Sequence, residues 1–88
     1  MIAAEKKTEI IREFARQEGD SGSPEVQIAL LTQRIKECAV HMRSHKQDYH
    51  GRRGLVAMVS RRNKLLRYLQ RTNRDQYLET IQRLGLRK

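Results

Sequence analysis

Apolar residues recur at helical spacings along most of the chain, and no stretch sustains the alternation of a half-buried strand. Over about residues 4–16, Ile10, Ile11 and Phe14 share one side, which predicts a first helix. It runs into Gly19-Asp20-Ser21-Gly22-Ser23, residues suited to turns and to positive φ. Ser23-Pro24-Glu25 then opens a second helix. Serine can cap free N–H groups, proline suits the first helical position, and glutamate favours the positive end of the dipole. Ile28, Leu31, Ile35, Cys38 and Met42 follow at spacings of 3, 4, 3 and 4, a stripe expected to be buried. The pattern ends near Ser44 and is lost from Lys46 to Gly51. Leu55, Val59, Leu66 and Leu69 predict a third helix, with Arg62 at one position of its stripe. A short fourth helix after Asn73 is expected to turn Leu78, Ile81 and Leu84 inward. Gly85 suits a left-handed stop, with Leu86 packed back on the last turn. The expected fold is all-α: a small four-helix domain of three longer antiparallel-packed helices plus a mobile or peripheral short helix. Its connections should span about four to six residues.

Length and composition narrow the possibilities. At 88 residues there is no room for a second core, so residues 1–88 are expected to form one domain without a large buried cleft. The longest strictly apolar run, Leu55 to Val59, is far too short to cross a membrane. Glu5 and Glu9 interrupt the N-terminus, and no signal peptide is visible. One cysteine cannot form an internal disulfide, which favours a reducing compartment. Charge adds the strongest clue. Residues 1–44 hold seven basic and seven acidic side chains, whereas residues 45–88 hold twelve and three, so the whole net charge of +9 lies in the second half. Solubility alone does not require charge of one sign, and a localised positive field attracts a polyanion.

Two helix faces carry candidate chemistry. Gln27, Arg34 and His41 are seven residues apart and lie along one face of the second helix. Asp48 continues that spacing and His45 sits one turn beyond His41. Such a row can both donate and accept hydrogen bonds, whereas a merely solvated face is more often Lys and Glu. On the third helix, Arg61, Lys64, Tyr68 and Arg71 follow at spacings of 3, 4 and 3. The cations can neutralise phosphates, and Tyr68 can stack on a base or sugar. The competing reading packs Tyr68 in the core beside Leu65 and Leu69.

Other chemistries fit poorly. The Gly19–Ser23 loop lacks the spacing of a nucleotide-binding loop. Cys38, His41, His45 and His50 have spacings that invite a zinc site, but Cys38 belongs to the apolar stripe and no second cysteine exists. Ser21 or Ser23 with a histidine and Asp20 could be drawn as a triad, yet nothing marks a nucleophile elbow or oxyanion hole. No enzyme activity, cofactor or small-molecule substrate is expected.

Residues 19–32, Gly-Asp-Ser-Gly-Ser-Pro-Glu-Val-Gln-Ile-Ala-Leu-Leu-Thr, resemble a signature of the bacterial-type small-subunit ribosomal protein fifteen family. So do His41-x₃-His45-x₂-Asp48-x-His50-x-Arg52-Arg53-Gly54-Leu55, then Val59, Arg62, Leu65-Leu66 and Tyr68-Leu69, and the ending Ile81-x₂-Leu84-Gly85-Leu86-Arg87. The resemblance covers nearly the whole chain. It implies a four-helix protein that binds small-subunit (16S) ribosomal RNA early in assembly, gripping a three-way junction and the minor groove of an adjoining helix. It also implies neighbouring small-subunit proteins and large-subunit rRNA at an intersubunit bridge as partners, in bacterial cytoplasm or a plastid, with no membrane. The free protein is expected to be a monomer, and some members bind their own messenger RNA. Carried over, Ser21, Gly22, Gln27, Arg34, Tyr68 and Arg71 are junction contacts, Lys64 a phosphate contact, and His41, His45 and Asp48 minor-groove contacts. Three positions depart from the family pattern: Ser21 replaces the usual Thr, Tyr49 a common His, and Gly51 the usual Ser. The last removes a hydroxyl that could reach the groove. A helical DNA-binding regulator and, further off, a metal-binding protein are the competing readings.

Overall fold

The computed structural model describes residues 4–17 and 22–86. Four helices follow in order: α1 Ala4–Phe14, α2 Pro24–Ser44, α3 Tyr49–Thr72 and α4 Arg74–Leu84. No strand occurs among the described residues. The all-α, four-helix expectation holds, with the lengths divided as two long helices of 21 and 24 residues and two of 11.

The helix ends are set by local hydrogen bonds. Ser23 occupies the N-cap of α2 in extended backbone, but its hydroxyl makes no capping hydrogen bond, contrary to expectation. The first turn closes through the main chain instead, Gln27 N–H donating to the Ser23 carbonyl at 3.0 Å. α3 begins at Tyr49, inside the segment that lacked an apolar pattern. Its start is fixed by Asp48, whose Oδ1 accepts from Gly51 N–H at 2.9 Å. A cap of this kind needs no apolar periodicity, so the hydrophobic pattern could not reveal it. Asn73 ends α3 and caps α4, its side chain accepting from Gln76 N–H. The connections therefore run from one residue (Asn73) to nine (Ala15–Ser23), wider than expected. Gly85 adopts φ 68°, Leu86 N–H donates to the Ile81 carbonyl, and Gly85 N–H donates to that of Gln82. That pair of bonds is a Schellman stop, as the Gly85-Leu86 pair predicted.

α2 is the spine, contacting each of the other three helices. Ile10 and Phe14 of α1 pack on Val26 and Ala29 of α2. Ile28 of α2 packs with Leu66 and Leu69 of α3 and Tyr77 of α4. Early α2 thus meets late α3, and late α2 meets early α3, where Cys38 Sγ–H donates to the Gly51 carbonyl at 3.7 Å. The two long helices are antiparallel, as a four-residue connection favours.

Burial corrects two expectations. In α4, Leu78 is 46% exposed, and Tyr77 and Thr80 are buried in its place. Tyr77, Thr80, Ile81 and Leu84 form an i, i+3, i+4, i+7 face, and Leu78 lies more than a quarter turn from its centre. Of the α2 stripe, Ile28 and Leu31 are buried but Ile35, Cys38 and Met42 only partly so. α1 and α4 cover only the end of the α2–α3 hairpin remote from its turn, so its other half has no third helix against it.

Polar contacts fasten α1. Arg16 Nε donates to both carboxylate oxygens of the buried Glu25 at 3.0 and 2.9 Å. Arg83 of α4 donates to the Glu13 carbonyl at 2.9 Å, and its guanidinium lies 4.2 Å from the Phe14 ring centroid. Leu84 packs against both core clusters and joins them.

Arg62 is the costly residue of the hairpin interface. Its Nε is buried without a hydrogen-bond partner, and Nη1 reaches the Thr32 hydroxyl only at 3.5 Å. Burial pulls its pKa below the ordinary arginine value. Arg62→Met, which keeps the stem and removes the charge, is expected to hold or raise the urea midpoint, because desolvation outweighs so long a bond. A loss beyond about 1 kcal/mol would show instead that the Thr32 contact is net stabilising.

Candidate nucleic-acid interface

Antiparallel packing divides the sequence-derived residues between the two ends of the hairpin. Gly22 and Gln27 stand at the start of α2, and Lys64, Tyr68 and Arg71 on the late turns of α3. The shared core of Ile28, Leu66 and Leu69 holds these segments side by side. His41, His45 and Asp48 stand at the other end, around the turn, with Arg34 between. At 1.5 Å per residue, α2 separates its ends by about 30 Å. Ser21 lies outside the described residues.

At the first end, Gln27 Nε2 donates to the Gly22 carbonyl at 2.7 Å, pinning the loop exit and leaving the amide oxygen as an acceptor. Tyr68 is 46% exposed, which overturns the packed reading; the buried tyrosine is Tyr77. Its ring can therefore take a planar partner on its surface. Lys64 and Arg71 are exposed. The whole of α3 carries seven Lys and Arg residues and no Asp or Glu. Two arginines outside α3 are matched by acids, Arg16 by Glu25 and Arg83 by Glu13. On α3 six of the seven cations, all but Arg62, face solvent, with no acidic side chain on their own helix to offset them.

At the turn, each group is held by another. Asp48 Oδ1 caps α3, and Oδ2 accepts from His41 Nε2 at 3.0 Å. His45 Nδ1 donates to the His41 carbonyl at 3.1 Å. The two imidazoles stack with centroids 4.1 Å apart and 9° between planes. A carboxylate and a carbonyl only accept, so the protons sit on His41 Nε2 and His45 Nδ1. In the neutral rings the remaining nitrogens, His41 Nδ1 and His45 Nε2, are acceptors, suited to a 2′-hydroxyl or a guanine amino group. The hydrogen bond from Gly51 N–H, and then that from His41, hold the Asp48 carboxyl below its ordinary pKa.

Gly51 has a part here that sequence reasoning missed. A Cβ there would lie 2.7 Å from Asp48 Oδ2, 3.0 Å from its Cγ and 3.1 Å from Met42 Sδ. The missing side chain makes room for the aspartate to fold onto the helix start. The Gly51 N–H is spent on Asp48, and its carbonyl takes the Cys38 thiol. Only the adjacency of a capping aspartate and a glycine three residues later hinted at this. Among the described residues no three His, Cys, Asp or Glu converge as metal ligands, and the Cys38 thiol contacts the Gly51 carbonyl. No described helix is long and apolar enough to cross a membrane.

The family model described as Ribosomal protein S15 matches residues 7–87. The chain is 56% identical over 87 residues to the small ribosomal subunit protein uS15 of Pseudarthrobacter chlorophenolicus, covering 99% of this chain and 98% of that one. The protein of the same name from Bordetella parapertussis is also 56% identical, with the same coverage. That from an Arthrobacter species is 55% identical, again over 99% and 98% of the two chains.

Asp48 makes the turn sensitive to acid. Its folded pKa lies below the ordinary 3.8, so its stabilisation is complete above that value and disappears as pH falls through the lower folded one. The Gly51 amide resonance is expected to titrate with a midpoint below 3.8, and Asp48→Asn should abolish the titration. A midpoint at or above 3.8 would contradict the hydrogen-bonded carboxylate.

Proposed function

The chain belongs to the ribosomal protein S15 family, structural proteins of the small ribosomal subunit rather than enzymes, and we propose that it binds small-subunit rRNA at two places along the α2–α3 hairpin. At one end, Gly22, Gln27, Tyr68 and Arg71 contact a three-way junction, together with Ser21, while Lys64 neutralises a phosphate and Arg34 extends the contact along α2. At the other, His41, His45 and Asp48 read the minor groove of an adjoining helix. The observation that carries this reading is the separation of a cationic, tyrosine-bearing end from an acceptor-rich end on one rigid pair of helices.

The chemistry matches A-form RNA. Its major groove is too narrow for side chains, whereas the shallow minor groove displays 2′-hydroxyls and base edges. The acceptor nitrogens of the histidine pair and the remaining lone pairs of Asp48 suit those donors. Tyr68 supplies a stacking face, and the α3 cations supply the sequence-independent attraction to phosphate. Fixing the junction and the adjoining helix to one stiff helix pair orders the RNA for later assembly of the central domain. The wider roles, an intersubunit bridge with large-subunit rRNA, contacts with neighbouring ribosomal proteins and binding to its own messenger RNA, rest on the family resemblance.

A competition titration tests the reading: a small-subunit three-way junction against plain RNA duplex and duplex DNA, at two salt concentrations. Junction preference is expected to survive higher salt. Tyr68→Ala should weaken junction binding by about 1–3 kcal/mol, and Asp48→Ala should relax discrimination among minor-groove sequences. Equal, salt-sensitive binding to all three nucleic acids would replace the proposal with the DNA-binding reading. Unchanged affinity of a folded Tyr68→Ala variant would remove that residue's role.

A further inference from the structure

A cleft of about 410 Å³ opens where α1, α2 and α3 come together. Lys7 of α1, Arg34 of α2 and Arg61 of α3 line it, with Gln27 beside them and Ile11 and Leu31 in its apolar lining. We propose that Lys7, Arg34 and Arg61 form a single phosphate-binding site, through which the RNA backbone ties α1 to the hairpin. The proposal rests on the RNA-binding reading and adds α1 to the interface.

Three observations support it. First, cations from three separate helices share one cleft whose lining contains no Asp or Glu. Second, among the described residues none of the three has a hydrogen-bond or ion-pair partner, in contrast to Arg16, Arg52, Arg67 and Arg83. Like charges gathered without a counter-charge repel, and one phosphate, with several acceptor lone pairs, relieves all three at once. Third, the α1 backbone packs closely on that of α2 but not on that of α3. An anion held by Lys7 and Arg61 therefore ties α1 to α3 across the cleft.

The chemistry favours a phosphodiester within an RNA over free phosphate. Arg34 continues the row of Gln27, and Arg61 the row of Lys64, Tyr68 and Arg71, so a phosphate in the cleft sits in line with the junction contacts. The Gln27 amide oxygen, free because its nitrogen is spent on Gly22, can accept from a nearby 2′-hydroxyl.

Lys7→Gln and Arg61→Gln are the test, with Arg12→Gln as a control of equal charge change on α1 outside the cleft. Each cleft variant is expected to lower affinity for the junction RNA several-fold, and to reduce the slope of log affinity against log salt by about one. The double variant should lose less than the product of the two, because both cations serve one phosphate. In parallel, inorganic phosphate at low ionic strength should shift the amide resonances of Lys7, Arg34 and Arg61 together in the wild type, and not in Arg61→Gln. Junction binding with cleft variants indistinguishable from Arg12→Gln overturns the site and leaves the RNA reading standing. Concerted phosphate shifts in a protein that shows no junction binding support the site and overturn the RNA reading. Loss of both signals overturns both.

Discussion

Ile28, with no exposed surface of its own, shares a buried cluster with Leu66 and Leu69, and this contact sets the register of the α2–α3 hairpin. Everything functional depends on it. It places the start of α2 beside the late turns of α3, so that Gln27 and Tyr68 belong to one end although forty-one residues apart in the chain. It also leaves the other half of the hairpin with no fully buried residue from Gln33 to Leu65. That half is held by half-buried side chains and by the Asp48 network at its turn. A small core at one end and a polar clasp at the other is what 88 residues can build while keeping a long helical surface open.

The distribution of charge follows from the same economy. Where the chain must hold itself together, acids and bases meet: Glu25 with Arg16, Glu13 with Arg83, Asp48 with His41. On α3 they do not, since its seven cations have no acidic residue on their own helix. Like charges at neighbouring helical positions destabilise an isolated helix by a few tenths of a kcal/mol per pair. The free protein carries that repulsion, and a polyanion removes it while releasing its own counterions. On α3 the cations therefore serve affinity rather than stability, whereas Asp48 and His41 serve both.

Much of this was legible in the sequence, and the misses have physical causes. The four helices, the Gly85 stop and the two polar rows follow from periodicity and turn chemistry. Burial at single positions was less accessible. Leu78 is more hydrophobic than Thr80, yet Thr80 is buried, because the inward face of α4 is chosen by where Tyr77 lands against Ile28. The start of α3 at Tyr49 was invisible to hydrophobic patterning, because a helix turn exposed on most sides needs no apolar residues, only a cap. Gly51 was read as a missing hydroxyl; the structure shows a missing Cβ, which matters because Asp48 occupies that space. The convergence of Lys7 with Arg61 could not be read at all, since it depends on how α1 lies across α2.

Two contacts carried on one stiff element behave differently from two contacts in series. Once one end of the hairpin is engaged, the other is presented at a fixed distance, and its binding becomes effectively intramolecular. On the proposed reading, that advantage exists only if the spacing matches the RNA. Four added residues in α2 would move the turn by about 6 Å and rotate it by about 40°, and would cost affinity without replacing a contact residue. The Asp48 clasp matters for the same reason: a frayed turn would leave His41 and His45 free to swing, and the second contact would lose the preorganisation that makes it effective. Rigidity at the turn, where hydrophobic burial is thinnest, is thus supplied by one carboxylate shared between a helix cap and a histidine.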